Sequence, residues 1–440
     1  MTRAILAGGL ICTLAYAAAI LGFPKPGGRV VTGDATHQFV QLRSMVFDRD
    51  LHFQNEYVHL YGLQDGPVEG TEWVFSELTP TSHVRNYMPV GPALLWMPLY
   101  LIATAILWMW AAVTGAVPPN GFEPWLQLTG GLTGVWASTL AAMITWRWIS
   151  SSEWRAGGAW AIGGLWLGSH ALYYTLVSPT YSHAPSMLAG ALFFSHWWSR
   201  RDAPGLSAFA VSGALAGIAA LMRWQDALWL ALPAWQAVRW NVSWGRRVGA
   251  LAAAGAGWVI VFSPQMYVWH VLYGSAVTVP QGATFMEWTS PNLVAMLFSD
   301  NHGWLSWTPI VVPAILGLIG MARRDRALVV PFVFILFSAW YVNASVADWW
   351  AGEAFGARRF LSLTPLLAVG LAAWLCASTG RPSRTRVVVV MVLIALNGLL
   401  LFQYQVFMKG WRDIAPYPRG LVDLWLTRFV VPFRVLGRLF

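Results

Sequence analysis

The chain is 440 residues long, 57% hydrophobic and only 11% charged, with a mean hydropathy of +0.52 and a formal net charge of +9. Soluble domains carry about 25% charged residues, so a soluble enzyme or binding module is excluded. The basic surplus does not point to nucleic acid, because arginines gather in short loops between apolar runs, as cytoplasmic loops do.

Apolar runs of roughly 18 residues or more recur along the length, which marks an all-α integral membrane protein whose first partner is the lipid bilayer. Cys12 and Cys376 both lie in apolar runs, which leaves no disulfide framework and no thiolate metal site. Most of the 29 tryptophans fall near the ends of apolar runs, as an interfacial aromatic belt does.

The first run, 4–22, is long enough to span. No small-x-small cleavage site precedes Phe23-Pro24-Lys25-Pro26, so it reads as a retained span rather than a signal peptide. Next comes T-G-D-A-T-H-Q-F-V-Q-L-R-S-M-V-F-D-R-D, Thr32 to Asp50. Ala35, Phe39, Leu42 and Val46 fall on one stripe and Gln38, Gln41, Arg43 and Ser44 on the other. This spacing predicts an amphipathic helix over 34–47 lying on the bilayer surface. Asp34 stands at its start, where a carboxylate suits an N-cap. Aimed at a cavity, the same carboxylate suits a general base, and the two roles are compatible. Asp48, Asp50, His52 and Glu56 follow in loose spacing that reads as solvated loop rather than as a divalent-metal site.

Spans are expected at 4–22, 126–147, 157–177, 183–198, 206–222, 225–239, 248–269, 304–320, 327–343, 360–377 and 386–407, about eleven in all. The run 91–117 is a candidate for a twelfth, and charge argues against it. If it does not cross, Arg3 and thirteen further arginines fall on the cytoplasmic side against only Glu153, Asp202 and Asp325. If it crosses, every later basic loop inverts, against the positive-inside rule. The segment is therefore expected as an interfacial helix, a re-entrant hairpin or a partly embedded helix, and Pro92 and Pro98 fit an irregular start. The outer face then carries a large first loop, 23–125, a second loop, 270–303, and a tail after 407 that ends in an Arg-rich amphipathic stretch. With no repeats and no linker, a single membrane domain over 1–440 is expected.

Gly33-Asp34 on a surface helix after the first span resembles the C-type glycosyltransferase (GT-C) superfamily. So do Y-M-P-V-G-P-A-L-L-W-M-P at 87–98, T-Y-S-H-A-P-S at 180–186, M-R-W-Q-D-A-L at 222–228, N-H-G-W-L-S-W-T-P at 301–309 and W-W-A-G-E-A-F-G-A-R-R-F at 349–360. The motifs run in order over most of the chain and are similar to those of bacterial family-39-like transferases. The resemblance implies a polytopic enzyme of the bacterial cytoplasmic membrane. It would move a monosaccharide from a polyprenyl-phosphate donor to a glycan, lipid or protein hydroxyl on the outer side. Many relatives carry an Asp-Glu pair where this chain has Asp34-Ala35, so no cofactor is expected with certainty and a divalent metal is disfavoured.

On that reading Asp34 is the general base. Arg358, Arg359, His183 and Arg85 are the candidates for the donor phosphate, since a guanidinium fork matches phosphate oxygens. Arg85 stands where some relatives carry a phosphate-binding lysine. His37, Tyr181, Arg223, Asp226, Asp348 and Glu353 are candidates for substrate binding or support. Each has a plainer reading: a snorkelling pair for Arg358 and Arg359, an ion pair for Arg223 and Asp226, a turn hydrogen bond for His183, a salt bridge to Arg358 for Asp348 or Glu353. A lipid-linked-sugar transporter or flippase, an O-antigen-ligase-like enzyme and a non-catalytic scaffold are the rival functions. The missing internal repeat disfavours the transporter.

Overall fold

The computed structural model describes residues 1–23, 28–62, 78–202, 204–352, 354–376 and 380–439. Its helices are α1 (Thr2–Gly22), α2 (Asp34–Arg43), α3 (Gln54–Tyr61), α4 (Gly91–Thr114), α5 (Pro124–Ser150), α6 (Gly158–Leu167), α7 (Ala171–Leu176), α8 (His183–Arg200) and α9 (Leu206–Met222). They continue with α10 (Ala231–Arg239), α11 (Trp244–Tyr273), α12 (Leu293–Phe298), α13 (Trp304–Trp307), α14 (Val311–Arg324), α15 (Val329–Ala344), α16 (Thr364–Cys376), α17 (Arg384–Met408) and α18 (Leu421–Leu439). Among the described residues there is no β-strand, only isolated bridges between Leu78 and Val84 and between Met286 and Val346.

Seven helical stretches among the described residues are long and apolar enough to cross a membrane: α1, α4, α5, α11, Arg326–Ala344, Arg358–Cys376 and α17. Six of the eleven expected spans are among them. Of the other five, 183–198 falls in the continuous 18-residue α8, which is too polar to be counted with them, and the rest are shorter or broken. The expected span 157–177 breaks between α6 and α7, at Gly168–His170. Asn397 of α17 donates there to the Leu167 and Ser169 carbonyls at 2.8 and 3.0 Å, which satisfies backbone that a broken helix leaves free. The expected span 304–320 breaks between α13 and α14, where Pro309 disfavours helix at Thr308. The expected span 225–239 starts as a 3₁₀ stretch, Trp224–Leu230, before α10.

Small residues set the closest helix pairs. A Cβ on Gly213 of α9 would collide with the Ala254 carbonyl of α11, and one on Gly317 of α14 with the Gly370 carbonyl of α16. In an apolar bundle such approaches supply the van der Waals contact that water-driven burial does not. The α1 helix docks on α5 the same way, Gly9 against Thr139 and Tyr16 against Gly131.

Helix α4 is continuous, which rules out the re-entrant hairpin for 91–117. Gly91 lies against the Leu221 carbonyl at the end of α9, Trp96 packs on Gly130 of α5, and the Tyr100 hydroxyl donates to the Gly121 carbonyl at 2.8 Å. Its first half therefore bridges the end of α9 and the start of α5. Its second half runs on past α5 and turns Ile102, Ile106, Met109, Trp110 and Val113 outward.

The surface-helix expectation for 34–47 needs correction. The α-helix ends at Arg43, a π-helical turn follows over Ser44–Asp48, and every residue from Ala35 to Arg43 is buried. The polar stripe faces other protein, not water. Gln41 donates to Asn86 and to the Met88 carbonyl at 3.2 and 3.0 Å, and Arg43 donates to the Asn120 carbonyl and to Glu56. The segment 78–90 and helix α3 cover the face that periodicity alone assigns to solvent.

Candidate functional site

Helix α2 begins at Gly33, whose φ of +57° and ψ of −138° belong to a region only glycine occupies freely. A Cβ there would also run into the Tyr181 hydroxyl. Glycine thus does two things at once: it turns the chain into the helix and lets Tyr181 close over the turn. Asp34 is the first helical residue rather than the cap, and its side chain makes no capping bond. Its carboxylate instead meets Arg358 Nη1 at 3.0 Å. The Arg358 guanidinium lies 5.4 Å from the Tyr181 ring centroid, and the Asp34 side chain keeps 28% exposure against 12% for Arg358. The pair is therefore only partly covered, and the carboxylate is its more exposed member.

Behind this pair the sequence motifs converge. His183 is buried at the start of α8, with Tyr174 edge-on to its ring at 4.7 Å and Tyr181 stacked at 6.1 Å. Arg223 Nη1 donates to His183 Nδ1 at 3.0 Å, which leaves the imidazole proton on Nε2. Arg223 Nη2 donates to Gln225 at 3.0 Å, and Gln225 donates to the Arg359 carbonyl at 2.9 Å. Arg359 pairs with Asp348 at 2.7 Å. Asp226 accepts from Ser362 at 3.1 Å. The expected Arg223–Asp226 ion pair is replaced by these bonds, so the bonds of Arg223 go to neutral partners. Asp348 pairs with Arg359, not Arg358.

The cluster thus holds three guanidinium groups from two separate segments. Arg358 and Arg359 start the 3₁₀ stretch Arg358–Leu363, and Arg223 ends α9. Asp34 and Asp348 each occupy one of them. N-H-G-W-L-S-W-T-P buttresses the arrangement: Trp304 stacks on Phe360 at 4.0 Å, and His302 bonds the Trp350 carbonyl at 2.8 Å. Burial keeps His302 neutral by pushing its pKa down to about 4.

Two predicted residues lie elsewhere. His37 turns to Tyr57, with Nδ1 and the hydroxyl 2.6 Å apart, and burial lowers its pKa to about 4. Arg85 lies beside Tyr273, whose hydroxyl donates to the Asn86 carbonyl at 2.9 Å. Glu353 lies outside the described residues.

Sequence reasoning missed Tyr174, Gln225, Ser362 and Gln38. Tyr174 accepts from the Phe355 amide at 3.2 Å and so ties α7 to the arginine segment. Gln225 was legible as part of M-R-W-Q-D-A-L, but nothing in that motif says which of its polar residues reaches across to Arg359. Gln38 sits one turn along α2 from Asp34, fully buried, with neither amide atom hydrogen-bonded among the described residues.

The loop after α2 has its own charge cluster. Arg43 pairs with both Asp48 and Glu56. One guanidinium cannot neutralise two carboxylates, and the buried one holds its proton. The Glu56 pKa is pushed up to about 8, first by burial and then by its hydrogen bond with Asp48. Among the described residues, no group of three or more His, Cys, Asp or Glu side chains is placed to hold a metal ion.

Compared with protein-family models, with curated proteins and with solved structures, the chain gives no match.

Proposed function

We propose that this chain is a polytopic GT-C-type glycosyltransferase. It moves a monosaccharide from a polyprenyl-phosphate donor to an acceptor hydroxyl at the outer face of a bacterial cytoplasmic membrane. The observation that carries this reading is the Asp34–Arg358 pair at 3.0 Å, partly open, backed by Arg359 and Arg223. A carboxylate next to a cluster of guanidinium groups is what transfer from a sugar phosphate requires: a base for the acceptor and cations for the leaving group. In this reading all eleven expected segments cross, the broken ones included, and α4 lies along the outer surface. The length of α8 fits such a topology. Its 18 residues, about 27 Å at 1.5 Å per residue, separate His183 in the cluster from Arg200 at the other membrane face.

The Arg358 bond occupies the Asp34 carboxylate, so the pair must open before Asp34 can meet an acceptor hydroxyl. The donor phosphate supplies the means. Entering among Arg358, Arg359 and Arg223, it takes the Arg358 fork and frees the Asp34 carboxylate. The acceptor oxygen then attacks the anomeric carbon and a new C–O bond forms. The bond from that carbon to the phosphate oxygen breaks, and its electron pair leaves with the polyprenyl phosphate. Asp34 takes the acceptor proton, and the arginines bind the charge that appears on the leaving group.

The test is transfer from a panel of radiolabelled polyprenyl-phosphate monosaccharides into membrane acceptors, wild type against Asp34→Asn. Label should reach acceptor with the wild type and fall about 10²–10⁴-fold with the variant. Full transfer by a folded Asp34→Asn protein would remove Asp34 from the chemistry.

A further inference from the structure

At the end of α8 opposite the Asp34 cluster, a cleft of about 460 Å³ opens between the ends of α8 and α10 and the turn before α15. Arg201 and Arg239 line it, with Trp197, Trp235, Trp240 and Gln236 as walls. Two carboxylates also reach it. Arg201 Nη2 holds Asp325 at 3.0 Å, and Asp202, 86% exposed, lies 3.4 Å from Arg201 Nε. Arg201 Nη1 is enclosed and has no hydrogen-bond partner among the described residues. Arg239 stands 5.2 Å from the Trp235 ring centroid and has no carboxylate partner among the described ion pairs. Arg200 and Arg246 add positive charge nearby, Arg246 over Trp240 at 5.8 Å.

The cleft does not end in protein. Trp235 and Pro331 also line a second hollow of about 340 Å³, which runs between α10 and α15 and is walled by Ala234, Val238, Val330 and Phe334. A polar chamber that carries two arginines and two carboxylates therefore continues into an apolar groove along two helices. A soluble anion would use only the chamber, and an acyl chain alone only the groove. An amphiphile with a phosphate head uses both.

We infer that this seam is a binding site for a membrane phospholipid of the inner leaflet. Its phosphodiester lies between the Arg201 and Arg239 guanidinium groups, and one acyl chain follows the groove between α10 and α15. Aromatic walls suit the interfacial depth at which a headgroup sits, and basic pockets between helices on the cytoplasmic side suit phosphate heads. The site lies about 27 Å along α8 from the Asp34 cluster; its leaflet rests on the topology proposed above, while the cleft itself does not depend on the reaction assigned there.

The test uses the full chain, purified and delipidated in detergent, with bound lipid counted by native mass spectrometry. Phosphatidylglycerol and phosphatidylethanolamine carrying long acyl chains are titrated separately, alongside dihexanoyl phosphatidylglycerol and inorganic phosphate. One long-chain phospholipid should be retained. Removing one charge-assisted contact should weaken it about tenfold or more, so Arg239→Gln should show that loss while melting as the wild type does. Ala234→Trp, which fills the groove without touching the head, should show a similar loss. Retention of either long-chain lipid in an Arg239-dependent way supports the site. A preference for the ethanolamine head would further show Asp325 taking the ammonium. Equal affinity for inorganic phosphate or the dihexanoyl lipid would overturn the inference in favour of a soluble-anion site. Retention unchanged in both variants would overturn it in favour of nonspecific annular lipid.

Discussion

In the proposed reaction Asp34 and the donor phosphate compete for the Arg358 guanidinium, and this has a measurable consequence. Asp34→Asn should bind polyprenyl phosphate more tightly than the wild type while losing turnover. Charges 3.0 Å apart attract by about 5 kcal/mol at an effective dielectric near 20. Desolvation of both groups, and the 28% exposure of the Asp34 side chain, cancel most of that, leaving about 1–2 kcal/mol. A phosphate that must displace the carboxylate binds more weakly by that amount. Removing the competing charge should therefore tighten binding about 5- to 30-fold. Asparagine can still accept a hydrogen bond from Arg358, so the contact between the two segments is kept. Arg358→Gln should behave oppositely and weaken binding about tenfold or more, because a charge-assisted contact to the phosphate is gone. Equilibrium binding of radiolabelled polyprenyl phosphate to nanodisc-embedded protein reads both. If Asp34→Asn weakened binding as much as Arg358→Gln does, competition would be wrong and the carboxylate would be a donor-binding or purely structural group.

Three further outcomes follow from the geometry. Gly33→Ala should cost about 1–3 kcal/mol of stability from its backbone region and should also depress transfer, because its Cβ displaces the Tyr181 hydroxyl. Gly115→Ala, at φ +73° and ψ 14° in open space, reports the milder strain of the left-handed helical region, and an activity loss in Gly33→Ala no larger than in Gly115→Ala would refute a role for the Tyr181 contact. Between a carboxyl pKa of about 4.3 in the unfolded chain and about 8 in the folded one, the folded protein holds a proton on Glu56 that the unfolded chain has lost. Stability should then fall as pH rises through that window and level off above it. Glu56→Gln, which mimics the protonated form, should remove that slope and melt above the wild type at about pH 9, with the two alike near pH 4; a variant that melts lower at high pH would show an ionised Glu56 stabilising Arg43. Asn397→Leu strands the Leu167 and Ser169 carbonyls and should cost about 1–3 kcal/mol, read as a fall in melting temperature, and an unchanged value would mean the α6–α7 break is satisfied another way.

The apolar runs were legible because a bilayer imposes one length and one composition on what crosses it. The edges of α9, α11 and α17 fall within a few residues of where hydropathy puts them. The breaks were not legible, because a break is licensed by a neighbour. Nothing in L-G-S-H at 167–170 announces that Asn397, more than two hundred residues later, donates to its carbonyls. The burial of α2 was hidden for a related reason. Periodicity reports that one stripe is apolar and one polar, but Asn86, Asn120 and Glu56 make a polar stripe compatible with a protein environment.

The site was legible as a set of residues and not as a set of pairs. Asp34, Tyr181, His183, Arg223, Arg358 and Arg359 stand out in sequence because charged and polar groups at the ends of apolar runs are costly unless something engages them. Which group engages which is a matter of rotamer and register. The Arg223–Asp226 pair that adjacency favours gives way to Arg223–His183 because the 3₁₀ stretch after α9 carries Asp226 round to Ser362. The consequence is functional. Had Arg223 been neutralised by Asp226, the cluster would hold as many carboxylate-paired arginines as arginines. As built, Arg223 is held by histidine and glutamine side chains, and Asp34, the Arg358 partner, is partly exposed. An arginine with no carboxylate in bonding contact among the described residues, and one whose carboxylate is partly exposed, are the features on which the proposed phosphate site rests.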